Sequence, residues 1–238
     1  MLSPLLELPD VAGELDGARS AVDAVLADRG LRRTGGRVAT EVSLRCARAS
    51  AALDGSDAPL AEVRAGTVTD PVVQGALRVA EALPGLADTW TRSPGQVLAK
   101  LHVLAARGLT EKTWLGRPVA TGPRLAALLD LVALPDAGPG LLHAAVVHAE
   151  LLTLTPFEEA NGVVARAAGR LTLLARGVDP RGLVAVDVGH LARAPEYRGA
   201  AGAYATGTRD GLRSWLRHYA AAVSAGARET AAVRTELT

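Results

Sequence analysis

Between residues 148 and 166 the chain reads His148-Ala-Glu-Leu-Leu-Thr-Leu-Thr155-Pro156-Phe157-Glu158-Glu159-Ala160-Asn161-Gly162-Val163-Val164-Ala165-Arg166. Residue types and spacing here suit the binding of a phosphate. Two readings of the backbone compete. In the first, Thr155-Pro-Phe-Glu158 is a capping box with proline at the first helical position, and the helix starts at Pro156. Phe157, Ala160, Val164, Ala167, Leu171 and Leu174 then follow at helical spacing. That reading places Asn161-Gly162, a strong turn pair, inside a helix, where the glycine costs roughly 1 kcal/mol. In the second, residues 155–161 form a loop and the helix starts at Asn161, with asparagine as its cap. Gly162 then lets a ligand approach free backbone N–H groups, the usual anion site of a helix N-terminus. Glu159 would hold a magnesium ion bridging phosphates, and Arg166, one turn along, would present a planar fork to a terminal phosphate.

Either arrangement needs helices to position it, and the composition supplies them. Almost half the residues are apolar, alanine and leucine abound, and only 3% are aromatic, Phe157 being the sole phenylalanine. Such a chain favours helix over strand and buries a globular core. Apolar spacing predicts helices near 14–30, 37–53, 70–83, 94–108, 121–134, 139–154, 162–177 and 208–228, with short ones near 187–194 and 196–205. Glycine and proline pairs, among them Gly35-Gly36 and Pro84-Gly85, mark the gaps. No fixed-period repeat and no long linker appears. A net charge of +1 gives no field to steer nucleic acid or an anionic membrane, so neither is an expected partner. Cys46 is the only cysteine, which excludes an internal disulfide, and a buried inert thiol is expected there. The N-terminal stretch carries Glu7, Asp10, Glu14 and Asp16 without a basic region, and the most apolar stretch, 141–154, is too short and polar to span a bilayer. A cytoplasmic location is the expectation.

The segment from Thr155 to Arg166 resembles the motif of the Fic family, His-Pro-Phe-x-Asp/Glu-Gly-Asn-Gly-Arg-x-x-Arg. Six of nine fixed positions match: Pro156, Phe157, Glu159, Asn161, Gly162 and Arg166. Flanking features run in the same order, with Leu101-His102 in an earlier helix, His148 in the helix leading into the motif, and Tyr197, Tyr204 and Trp215 in the tail. The resemblance implies an all-α fold, a Fic-like helical domain over 42–228 with an N-terminal helical segment over 1–41 and a tail at 229–238. It implies ATP or another nucleotide with magnesium as cofactor, bound by Asn161, Gly162 and Arg166, with Glu159 on the metal. Upstream, Ser50-Ala51-Ala52-Leu53-Asp54-Gly55 resembles the family's inhibitory motif, Ser/Thr-x-x-x-Glu-Gly/Asn, whose glutamate pairs with the second motif arginine. Here Asp54 is one methylene shorter; if the inhibitory arrangement survives, the segment packs beside the Arg166 helix with Asp54 facing the guanidinium directly or through water. An ordinary helix C-terminus, with Asp54-Gly55 as its stop, explains the same residues. Gly116-Arg117-Pro118-Val119 resembles a short version of the family's target-docking flap.

Three positions depart from the motif. Thr155 stands where the family has its histidine base, and a neutral hydroxyl does not accept a proton at pH 7; losing such a base removes on the order of 10²–10⁴ in rate. Val163 replaces the first arginine, and Ala160 replaces a glycine of the anion loop. His148 reads as a buried, hydrogen-bonded side chain, while His102, His143, His190 and His218 sit in separate helical contexts without metal-ligand spacing. The departures point to a Fic-fold pseudoenzyme, a regulatory or interaction protein with a protein partner and residual nucleotide binding. The alternative is a divergent transferase of nucleotidyl, phosphoryl or another group that works without the histidine. Homodimer formation is left open.

Overall fold

The structure, a computed structural model, describes residues 2–238. After a 3-10 turn at Ser3–Glu7 come α1 (Val11–Ala27), α2 (Leu31–Leu53), α3 (Leu60–Ala65), α4 (Pro71–Trp90), α5 (Pro94–Ala106) and α6 (Pro123–Ala133). They are followed by α7 (Gly140–Leu154), α8 (Asn161–Ala175), α9 (Val186–Leu191), α10 (Ala194–Ala205) and α11 (Arg209–Glu236). The all-α class expected from composition is the class observed. Among the described residues no helix is long and apolar enough to cross a membrane.

The centre is the antiparallel pair α7 and α8. Helix α7 is buried on nearly every side, from Leu141 through Ala149 and again at Leu151, as a helix apolar all round must be. Helix α8 lies against it, with Gly169 close against His148, and buries Val163, Val164, Ala167, Ala168 and Leu171. Two indole hydrogen bonds stitch this core laterally. Trp215 of α11 donates from Nε1 to the Ala145 carbonyl at 2.8 Å, and Trp90 of α4 donates to Thr172 Oγ1 at 2.9 Å. Asp70 caps α4 by accepting from the N–H groups of Val72 and Val73 at 2.9 and 3.0 Å. A second, smaller apolar cluster joins Val25 of α1, Leu31, Val38, Val42 and Cys46 of α2, Leu183 and Ala185, and Ala227 and Val233 of α11.

Several boundaries differ from the sequence expectation, each because burial overrides a local signal. Helix α2 begins six residues early and runs through Gly35-Gly36, because Leu31 and Val38 continue its buried stripe. Helix α4 runs through Pro84-Gly85 to Trp90, since Leu83, Leu86 and Trp90 all reach the core. Helix α11 continues past residue 228 because Thr230 and Val233 are buried, and Thr230 donates to the Leu183 and Gly226 carbonyls. Helix α3 and the 3-10 turn, six and five residues long, carry too short a pattern to be anticipated.

All five histidines of the chain are buried: His102, His143, His148, His190 and His218. Burial, first among the causes, pushes every one of their pKa values below the ordinary 6.5, that of His143 to about 4. The native state therefore refuses protons that the unfolded chain accepts below pH 6.5, so this contribution to stability is complete above 6.5 and is lost as the pH falls. The buried carboxyls of Asp179 and Asp187, raised by their own burial, work in the opposite direction but are fewer. In chemical denaturation, the unfolding free energy is expected to fall between pH 6.5 and pH 4, by about 1.4 kcal/mol per pH unit for each histidine titrating only in the unfolded state. A flat profile across that range would show that the imidazoles are accessible to protons in the native state.

Candidate functional site

The loop between α7 and α8 takes the second of the two sequence readings. Helix α7 stops at Leu154, residues 155–160 turn, and α8 starts at Asn161. The capping box that the first reading draws over Thr155 to Glu158 does not form. Two non-glycine residues bracket the turn in the left-handed region, Thr155 at φ 39° and Ala160 at φ 58°. For an L-residue such a conformation costs roughly 1–2 kcal/mol, and a β-branched threonine is especially unsuited to it.

Other contacts hold the loop in this shape. The N-cap position belongs to Ala160, and the asparagine does not cap the helix as expected. Its side chain turns back instead: Asn161 Oδ1 accepts from the Phe157 N–H at 2.9 Å, and Nδ2 donates to the Phe157 carbonyl at 2.7 Å. Phe157 is buried, and its ring stacks on His102 of α5 at a centroid distance of 4.0 Å with planes 4° apart. His102 Nδ1 accepts from the Gly116 N–H at 2.9 Å, which places its proton on Nε2 and ties the 116–120 segment to the same ring. That segment meets the loop directly, since the N–H groups of Val119 and Ala120 donate to the Pro156 carbonyl at 2.8 and 3.2 Å. His102 appears in the sequence only as part of a two-residue resemblance; its stack on Phe157 depends on the meeting of α5 with the loop and leaves no trace in spacing.

Arg166 lies at the other side of the loop, 2% exposed. Its Nε donates to Ser50 Oγ at 2.7 Å, Nη2 to the Ser50 carbonyl at 2.9 Å, and Nη1 to Tyr197 Oη at 3.2 Å. Nη2 also forms an ion pair with Asp54 Oδ1 at 2.8 Å. Asp54 therefore reaches the arginine directly, the closer of the two arrangements expected, despite its shorter side chain. The reason lies in the backbone. Asp54 is the C-cap of α2, and Gly55 follows at φ 94°, so the chain end itself turns the carboxylate toward α8. The helix-stop reading and the pairing reading of Ser50 to Gly55 describe one structure. Burial opposes the charge on Arg166, but Tyr197, Asp54 and Asp187 outweigh it and raise the guanidinium pKa above its ordinary value.

Asp54 does a second thing. A Cβ added at Gly162 would collide with both oxygens of its carboxylate, so that carboxylate sits against the first turn of α8. This is where the N–H groups of a helix N-terminus attract an anion. The chain thus brings Ser50, Asp54, Gly162 and Arg166 together, with an internal carboxylate in the anion position. Behind them, Tyr197 Oη lies 3.0 Å from His148 Nε2. Because Tyr197 Oη accepts from Arg166, its proton points to His148, whose Nε2 must be bare; burial and the nearby Arg166 charge keep that imidazole neutral. Glu159 and Thr155 are exposed on the loop, while Val163 is buried in the core. Glu159 lines a hollow with Glu158, Glu111 and Trp114, and Thr110 Oγ1 donates to Glu158 at 2.6 Å.

The strain at Ala160 yields a direct test. Ala160→Gly is expected to stabilise the protein by about 1 kcal/mol, because glycine adopts the left-handed conformation without the Cβ penalty. An unchanged or lower denaturation midpoint would show that the Ala160 side chain contributes packing that outweighs the strain.

No protein-family model and no curated protein sequence matches the chain. Solved structures do resemble it. A Fic family protein from Desulfovibrio desulfuricans G20 superposes with a TM-score of 0.75 at 20% identity, over 97% of this chain and 76% of that one. A segment of Fic-1 from C. elegans gives 0.72 at 18% identity, over 97% of this chain and 73% of that one. A variant of the same segment gives 0.71 at 18% identity, over 99% and 76%. At such identities the likeness is one of architecture, and it agrees with the motif resemblance and the helix order: the chain has the Fic fold.

Proposed function

We propose that this chain is a Fic-fold pseudoenzyme, a regulatory or interaction protein that keeps the phosphate-binding loop of the fold without using it for group transfer. The observation that carries this reading is Thr155, a neutral hydroxyl at the position of the proton acceptor. Val163 supports it, since a buried valine offers a phosphate no charge in place of the arginine. The engagement of Arg166 with Ser50, Asp54 and Tyr197, and the seat of Asp54 against Gly162, support an anion site held shut by the chain itself.

The ligand proposed for that site, once Asp54 withdraws, is ATP or another nucleotide with magnesium. Glu159 would supply one carboxylate to the ion. A single exposed acid suits Mg²⁺, which keeps several waters and draws other ligands from phosphates. Among the described residues no group of three or more His, Cys, Asp or Glu side chains would hold a metal without such help. The partner proposed is a protein. Trp114 and Val119, exposed on the segment that leads to and contacts the loop, offer apolar contact at the site. The shut site also favours a second reading, a transferase that works without the histidine and is restrained by Asp54.

Labelled nucleotide distinguishes the two. With ATP and magnesium, neither the unmodified protein nor Asp54→Ala is expected to label itself or a lysate. Asp54→Ala is nevertheless expected to gain more thermal stabilisation from millimolar ATP than the unmodified chain, because the internal competitor is gone. Labelling by Asp54→Ala would overturn the pseudoenzyme in favour of the restrained transferase. The Thr155→His, Asp54→Ala double variant restores the base on an opened site, at a left-handed position that histidine tolerates better than threonine. Label appearing only there would identify the missing base as what disarms the fold.

A further inference from the structure

Well away in sequence from the loop before α8, a groove of about 690 Å³ runs between α10 and α11, closed on one side by α1. Its α11 wall is one helical face, with Asp210, Arg213, Arg217 and His218 at spacings of three, four and one. Its α10 wall is low because Gly199 and Ala200 are small, and a Cβ added at Gly199 would meet nothing within 4 Å.

The charges lining this groove differ in how far they are satisfied. Arg193 is held by Glu196 through two bonds of 2.7 and 2.9 Å, and Arg213 by the Pro9 carbonyl at 2.9 Å and Asp10 at 2.5 Å. Arg217 has only Glu14, at 3.5 Å. Asp210 has no ion-pair partner among the described residues. His218 is the decisive member. Its side chain is only 3% exposed, and Nε2 shares a hydrogen with His190 Nδ1 at 3.0 Å. Nδ1 has no hydrogen-bond partner and faces the exposed Glu196 carboxylate from 3.7 Å, beyond bonding range. A buried imidazole nitrogen left unpaired at a cavity wall is costly unless something fills the gap.

An isolated anion could bond Arg217 and His218 but would be repelled by Glu14 and Glu196 beside them. A simple cation would meet those carboxylates and leave His218 unpaired. A ligand carrying both charges a few ångströms apart satisfies the two donors and the two acids together, without adding net charge to a lining that contains as many acids as arginines. We propose that this groove binds a small zwitterion of α-amino-acid size, its carboxylate taken by Arg217 and the His218 Nδ1–H, its ammonium by Glu14 and Glu196. This assignment is independent of whether the loop before α8 binds nucleotide.

Nitrogen NMR of the full chain labelled with ¹⁵N-histidine reads the site directly. Titration with free amino acids, glycine and lysine among them, is expected to give a saturable shift of the His218 Nδ1 signal. Acetate and methylammonium at equal concentration should not produce it. Arg217→Gln and Glu14→Gln are each expected to weaken binding about tenfold. Gly199→Leu, which fills the groove at an exposed helical position where leucine is a good helix former, should abolish it while leaving the melting temperature intact. A response to acetate as strong as that to glycine would replace the zwitterion with a plain anion site. No saturable shift, or a shift that survives Gly199→Leu, would overturn the assignment altogether.

Discussion

The charge on Arg166 governs the arrangement around it. A guanidinium removed from water costs several kcal/mol unless its N–H groups are bonded and its charge is paired. At 2% exposure, Arg166 has almost no water to rely on. Its three partner residues therefore come from two elements: Ser50 and Asp54 from the last turn and C-cap of α2, and Tyr197 from α10. Meeting one buried charge fixes where α2 ends, how α10 lies, and which nitrogen of His148 in α7 is bare. Removing a partner is worse than never having had the pair, because the orphaned charge remains behind.

On the reading proposed above, any anion entering the site would compete with a carboxylate. Asp54 is 27% exposed at its side chain while Arg166 is sealed, so the acid is the member of the pair that can leave. An incoming oxyanion at the first turn of α8 gains the helix N-terminus and the space beside Gly162, but it must displace an anion already covalently part of the chain. Tethering raises the effective concentration of such an internal ligand. A free ligand of equal intrinsic affinity would lose that contest, so the proposed nucleotide would need the added hold of its base, sugar and metal.

Much of this was legible in sequence, and the failures share a cause. The start of α8 at Asn161 was one of two readings, and the turn chemistry of Asn161-Gly162 pointed to the correct one. Asn161 does not act as the cap that its type suggests, because capping preferences concern the helix ahead, whereas this side chain bonds the loop behind it. Pro84-Gly85 signals a stop, yet α4 passes through it to bury Leu86 and Trp90. Side-chain length alone leaves open whether Asp54 meets Arg166 directly or through water, because it ignores the direction in which the end of a helix delivers its cap. His190 and His218 lie 28 residues apart on two helices, and no spacing rule joins them. Local pattern exposes what a segment prefers; contacts between segments decide what it does.

The loop itself shows where its shape is stored. Of its three departures from the family pattern, Thr155 and Ala160 occupy left-handed conformations that their side chains resist, and Val163 faces the core. None of the three makes a side-chain hydrogen bond that holds the turn. What holds it are the two hydrogen bonds of Asn161 to Phe157, the stack of Phe157 on His102, the N–H groups of Val119 and Ala120 on Pro156, and the Arg166 pair. The positions associated with proton transfer and phosphate charge are thus separable from the positions that set the backbone. A chain can lose the first set and keep an anion-shaped cradle, at a cost of roughly 1–2 kcal/mol for each strained residue. That separation is why geometry alone supports binding at this loop more strongly than it supports turnover.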